Sequence, residues 1–231
     1  MDYQLILDDY LALMESIKLR QSLVGDLMKD FRGLPPFCIA EIIHLQMRMI
    51  CESIAVGCLV AHGDVEGARS NRLSSAYQAD FIVNALEKLH PSFYPRPTKQ
   101  ILKDNVVVGW EDMKEEYLTK AELTKTYRAT ADFLHVGSVS ELSTRRQART
   151  LDLPAINTWF VKLTRLLSHH NIFLADPPPA PGEALPPPFR FSDGSPAPRR
   201  QLVILMSTKE HEGRASAHIF GATGPAVGPT A

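Results

Sequence analysis

Two sets of residues have the types and spacing that chemistry requires. Arg128, Asp132 and His135 fall at i, i+4 and i+7 within Tyr127-Arg128-Ala129-Thr130-Ala131-Asp132-Phe133-Leu134-His135. On a helix that spacing puts all three on one face. A histidine there can transfer a proton near neutral pH, and an arginine can hold a phosphate or stabilise developing negative charge. An aspartate one turn from each can orient either. The plainer reading is a surface Arg–Asp pair with a histidine nearby. Glu41, His44, Arg48 and Glu52 form the second set, stepping by three, four and four. At about 100° per residue they occupy one narrow stripe. Arg48 and Glu52 are within reach of each other at i,i+4. Because buried charge is costly unless paired, this stripe is a solvated edge, a structural ion pair or the wall of a polar site.

The elements that must carry these residues are largely helical. Apolar positions Leu5, Leu13, Ile17, Leu23, Val24 and Leu27 give residues 3–31 a helical period, ended by Gly33 and Pro35-Pro36. Residues 37–62 are the most apolar long stretch, expected to be the central helix of a bundle and closed by Gly63 as C-cap. Its nearly apolar run from Met49 to Ala61 contains Glu52 and Ser53 and falls short of the roughly 20 apolar residues of a membrane span. A helical pattern continues over 65–90 until Pro91, Pro95 and Pro97. Val106-Val107-Val108-Gly109 reads as a short strand or loop. Thr119-Lys120-Ala121-Glu122 fits a capping box opening a helix to about Val136, where Gly137 stops it. Asp152-Leu153-Pro154 starts another helix, expected to reach Asn171.

Composition changes after residue 175. Residues 177–198 hold nine of the 17 prolines and read as a semi-rigid linker. Gln201–Ser207 and Ala215–Gly221 flank a polar turn and predict a β-hairpin. A lone hairpin is marginal in water, so it should dock on the helices or pair with a partner. The expected organisation is a helical bundle over 1–175, a proline-rich linker over 176–200, a hairpin over 201–221 and a frayed tail over 222–231.

The stretch TYRATADFLHVGS resembles a signature helix of the HEPN-like superfamily. Arg128, six intervening residues and His135 fit its R-x4-6-H pattern. The stretch QMRMICESIAVG, with Arg48 and Glu52 four apart, resembles the other signature helix of HEPN-like bacterial proteins. The resemblance implies an all-α, up-and-down bundle, often a homodimer. In catalytic members it implies a metal-independent ribonuclease site at which Arg128 would stabilise the transition state and His135 would act as general acid or base. Asp132, Arg48, Glu52, Tyr127 and His170 would support them. Ala129 follows Arg128 directly, where catalytic members usually carry a polar residue. Other members of the superfamily are binding or scaffold modules, which is the alternative reading.

The remaining signals are weaker. His169 and His170, placed near the end of a helix, would point about 100° apart, so they make a poor metal pair. No Cys-x2-Cys or His-x3-His spacing suggests zinc, and no glycine-rich phosphate loop is present. No metal and no cofactor are therefore expected. With 25 Lys+Arg against 26 Asp+Glu, the formal charge of -1 excludes a basic nucleic-acid coat. RNA contact would be local, at Arg145, Arg146 and Arg149 or at Arg199 and Arg200. A protein partner could dock at the hairpin or at the proline-rich linker. Cys38, Cys51 and Cys58, odd in number and in apolar surroundings, read as buried thiols of a reducing compartment. The start Met1-Asp2-Tyr3-Gln4 has no signal-peptide character, so the expected location is the cytoplasm.

Overall fold

A computed structural model of the chain describes residues 3–63, 65, 67–68, 70–103, 106–135, 151–174, 189–190, 196–197, 200–206 and 215–220. The helices are α1 (Tyr3–Lys29), α2 (Pro36–Ala61), α3 (Asn71–Ser74), α4 (Ala79–Leu89), α5 (Lys120–Leu134) and α6 (Leu153–Leu167). The strands are β1 (Arg96–Lys103), β2 (Val106–Asp112), β3 (His169–Leu174), β4 (Phe189–Arg190), β5 (Pro196–Ala197), β6 (Arg200–Met206) and β7 (Ala215–Phe220).

Helix α2 is the centre of the core. Pro36 begins it at a position whose N–H needs no partner, so the prolines that end the α1 region also open α2. Ile39, Ile43, Ile50, Cys51 and Cys58 are fully buried, and α1, α4 and α5 pack around the helix. Helix α2 is long and apolar enough to cross a membrane, yet 56% of its apolar window is buried inside the protein, as suits a core helix. The three cysteines are free thiols; Cys51 and Cys58 are buried, whereas Cys38 is only half-buried. Gly57 allows close approach to α1. A Cβ there would lie 3.2 Å from Cε2 of Tyr10.

Several boundaries differ from the sequence expectation. With the Gly63 N–H donating to the Val60 carbonyl, helix α2 closes on His62, whose backbone N–H reaches the carbonyls of Cys58 and Leu59. Its ring nitrogens lie 2.7 Å from the Cys58 carbonyl oxygen and 3.0 Å from that of Phe173, so the cap also ties the helix end to β3. Gly63 is not in the left-handed conformation expected of a glycine C-cap; Gly67, at φ +92°, is. The pattern over 65–90 splits into the short α3 and the separate α4. Helix α6 stops at Leu167, and His169–Leu174 forms a strand with all six residues buried. Periodicity cannot separate a short, fully buried strand from a buried helix turn.

An antiparallel sheet in the order β2-β1-β3-β6-β7 completes the fold. The helical character is as expected, but an all-α reading understates the strand content. The predicted hairpin, β6 and β7, adds to β3 with His169 opposite Leu205 and Leu174 opposite Arg200. Strand β7 also lies against α1. Both outcomes satisfy the hairpin's need for a surface to pair with or pack on. Within the proline-rich stretch, β4 and β5 pair antiparallel; the remainder of that stretch and the tail lie outside the described residues.

The capping box at the start of α5 is present. Thr119 Oγ1 accepts from the Glu122 N–H at 3.2 Å, and Glu122 Oε2 accepts from the Thr119 N–H at 3.0 Å. Thr119→Ala should lower stability by about 1 kcal/mol, read as a shift in the urea midpoint at unchanged slope.

Candidate functional site

Helices α2 and α5 pack together, with Arg48 meeting Tyr127 across the contact. The Arg48 guanidinium carbon lies 4.2 Å from the centre of the Tyr127 ring, and Nη2 donates to the Tyr127 hydroxyl at 2.7 Å. Arg48 Nε lies 3.3 Å from Glu52 Oε1, with the two side chains 24% and 15% exposed. Burial pushes the Tyr127 phenol above its ordinary range; Arg48 opposes that shift and Glu52 adds to it. Arg48, Glu52 and Tyr127 therefore form one half-buried polar unit holding the two helices together.

Arg128 belongs to a different contact. Its side chain is 64% exposed, and Nε lies 3.2 Å from Oδ2 of Asp80 on α4. Eight residues earlier on α5, Lys120 pairs with Glu87, seven residues later on α4. These are two rungs of one seam between antiparallel helices. Asp80, not Asp132, is thus the carboxylate that engages Arg128, which corrects the sequence expectation. Asp132 is exposed. His135 is exposed as the C-cap of α5, its backbone N–H donating to the Ala131 carbonyl. It lies about 10 Å beyond Arg128 along the helix axis, at 1.5 Å per residue. Arg145, Arg146, Arg149 and Arg199 lie outside the described residues.

The paired histidines are also repositioned. They lie on a strand instead of a helix, where neighbours face opposite sides. His170 is fully buried, with Nε2 2.7 Å from the Tyr10 hydroxyl and Nδ1 3.0 Å from the Leu167 carbonyl oxygen. The carbonyl fixes the proton on Nδ1, so Nε2 accepts from Tyr10. Burial drives the His170 pKa down to about 3. His170 is a neutral core residue that contacts α1 and does not support Arg128 and His135. His169 meets the Thr98 hydroxyl on β1, and burial lowers its pKa too.

A cleft of about 640 Å³ lies between α2, α5 and α6. His44, of the stripe that also holds Glu41, Arg48 and Glu52, forms part of its wall, stacked on Phe133 with ring centres 3.7 Å apart and planes 4° apart. His44 Nδ1 donates to the Ala40 carbonyl at 2.7 Å, and burial lowers the ring's pKa. Ala129 and Thr130 line the cleft from α5, and Ile156 and Trp159 line it from α6. The sequence signal that could have found it is the small-residue set Thr126, Ala129 and Thr130 facing an aromatic-bearing helix. A second hollow of about 370 Å³ brings Arg96 and Lys120 beside Tyr117 and Phe173. Among the described residues no cluster of His, Cys, Asp or Glu could hold a metal.

No family model, no curated protein and no solved structure matches the chain. Its functional reading therefore rests on this geometry.

Proposed function

We propose that the protein is a HEPN-like helical binding module that works without catalysing RNA cleavage. One observation carries this reading. The guanidinium of Arg128 is a rung of the α4–α5 ion-pair seam, while the open cleft of the bundle is lined by apolar and aromatic groups from α2, α5 and α6. The metal-independent cleavage that the resemblance implies would need an arginine and a histidine converging on one reacting group. An apolar cleft suits a bound ligand. The free thiols fit a reducing compartment, and the cytoplasm is the location we propose.

The test is a labelled single-stranded RNA incubated with the protein under chelation. The RNA should remain intact with both the natural protein and His135→Ala. RNA cut by the natural protein and spared by His135→Ala would replace this reading with a metal-independent endoribonuclease built on Arg128 and His135. That mechanism would also call for a homodimer, readable by sedimentation.

A second reading, RNA binding without cleavage, is favoured by the smaller hollow. There two cations stand beside two aromatic rings, a combination that takes up phosphates and stacks bases. Each cation already has a carboxylate, Asp112 for Arg96 and Glu87 for Lys120. Binding at this place would have to displace those pairs and would weaken steeply with salt.

A further inference from the structure

We infer that the buried ring of His62 is held as an imidazolium, a proton-dependent clasp that fastens the C-terminal ends of α2 and α4 to β3. The clasp is independent of the binding-module reading. His62 is fully buried and caps the end of α2. Its Nδ1 is aimed at the Cys58 carbonyl oxygen at 2.7 Å, and its Nε2 at the Phe173 carbonyl oxygen at 3.0 Å. A carbonyl oxygen can only accept. A neutral imidazole has one N–H and one bare nitrogen, so in either tautomer a lone pair would face a carbonyl oxygen. Only the doubly protonated ring satisfies both contacts.

The surroundings favour that form. Burying a charge is costly unless it is hydrogen-bonded, and here each N–H of the ring has its own acceptor. The carbonyl end of a helix also stabilises a cation, and His62 stands at that end of α2. His90 caps α4, and its Nε2 lies 2.8 Å from the same Phe173 oxygen. The His62 and His90 rings are 5.1 Å apart and inclined at 47°. One carbonyl of β3 is thus gripped from two helix ends, and its two lone pairs match the two donors. The other titratable groups nearby are the Cys58 thiol on α2 and the phenol of Tyr94, which follows Phe93. Burial pushes both pKa values up, so neither carries charge at neutral pH. Phe93 flanks the ring edge-on, with centres 6.5 Å apart. Asp64 and Glu66, which follow His62 in the chain, lie outside the described residues. A proton retained on folding adds stability that is complete below about pH 6.5, the unfolded value, and is lost as pH rises through the higher folded value.

The experiment is NMR of the intact protein, ¹⁵N-labelled in its histidine rings, at pH 7. Both ring nitrogens of His62 should show the shift of a proton-bearing nitrogen. His44 and His170, whose pKa values burial lowers, should each keep one bare nitrogen and so supply the reference for one. The His62 signals are identified by their loss in His62→Gln, or by through-space contacts to Phe93 if that variant does not fold. A bare nitrogen on His62 at pH 7 would overturn the inference. Urea melts between about pH 6.5 and pH 8, below the range in which unfolded cysteines ionise, give a second readout. Over that window the folding equilibrium constant of the natural protein should fall by up to about tenfold more per pH unit than that of His62→Gln. Equal slopes in the two proteins would also overturn the inference.

Discussion

Acidification from pH 6.5 towards pH 3 should destabilise the protein through His170. In the folded chain its imidazole is fully buried, donates to Leu167, accepts from Tyr10, and titrates at about 3. In the unfolded chain it titrates near 6.5. Between these values the unfolded state binds one proton more than the folded state, so stability rises with pH. The contribution is complete above about pH 6.5 and is lost as pH falls towards 3, with a slope of about 1.4 kcal/mol per pH unit for a full proton. Burial also lowers the pKa values of His44 and His169, which adds slope of the same sign. Urea melts at pH 7, 6 and 5 measure the slope directly. His170→Gln cannot take up this proton, so its stability should vary less steeply with pH by up to one proton, whatever its absolute stability. An equal slope in the two proteins would mean that His170 is not the residue that takes up the proton.

Removing the Arg48 charge should be the most damaging change among the residues that link α2 and α5. Arg48→Met keeps most of the apolar stem and deletes the hydrogen bond to Tyr127, the cation over its ring and the partner of Glu52. Fully buried pairs broken on one side cost about 3–5 kcal/mol; partial exposure brings the expectation here to about 2 kcal/mol. The loss comes chiefly from leaving the Glu52 carboxylate half-buried and alone. Glu52→Gln in the same protein should therefore recover about half of it, and chemical denaturation of the four proteins of this double-mutant cycle reads the coupling directly. Strictly additive effects would mean that the pair does not act as a unit.

The parts of the fold readable from sequence are those fixed within a few residues. The capping box at Thr119 and Glu122 specifies where α5 begins because both partners lie in one turn. The apolar period over 37–62 specifies α2, since only a helix enclosed on most sides buries that many isoleucines. The i,i+4 spacing of Arg48 and Glu52 specifies their ion pair. The hairpin strands are legible from two β-rich runs around a polar turn.

Other parts depend on residues far apart in the chain. Asp80 engages Arg128 from 48 residues away, and Tyr10 meets His170 from 160 residues away. No local pattern announces either contact. The end of α6 at Leu167 is the sharpest case. The sequence His169–Leu174 can continue a helix, but pairing with β1 and β6 gives its backbone groups partners as a strand. The cleft escaped notice for a related reason. It is a space between three helices, and its volume depends on their spacing and not on the character of any one of them.

By itself the sequence determined helix content, the core helix, the cap of α5 and the Arg48–Glu52 pair, because hydrogen bonding and periodicity act over one or two turns. Only the tertiary structure decided which carboxylate holds Arg128, that His170 is a neutral core group, that five strands form one sheet and that an open cleft lies beside His44. Each of those outcomes depends on surfaces brought together from distant parts of the chain, where burial and packing override local preference.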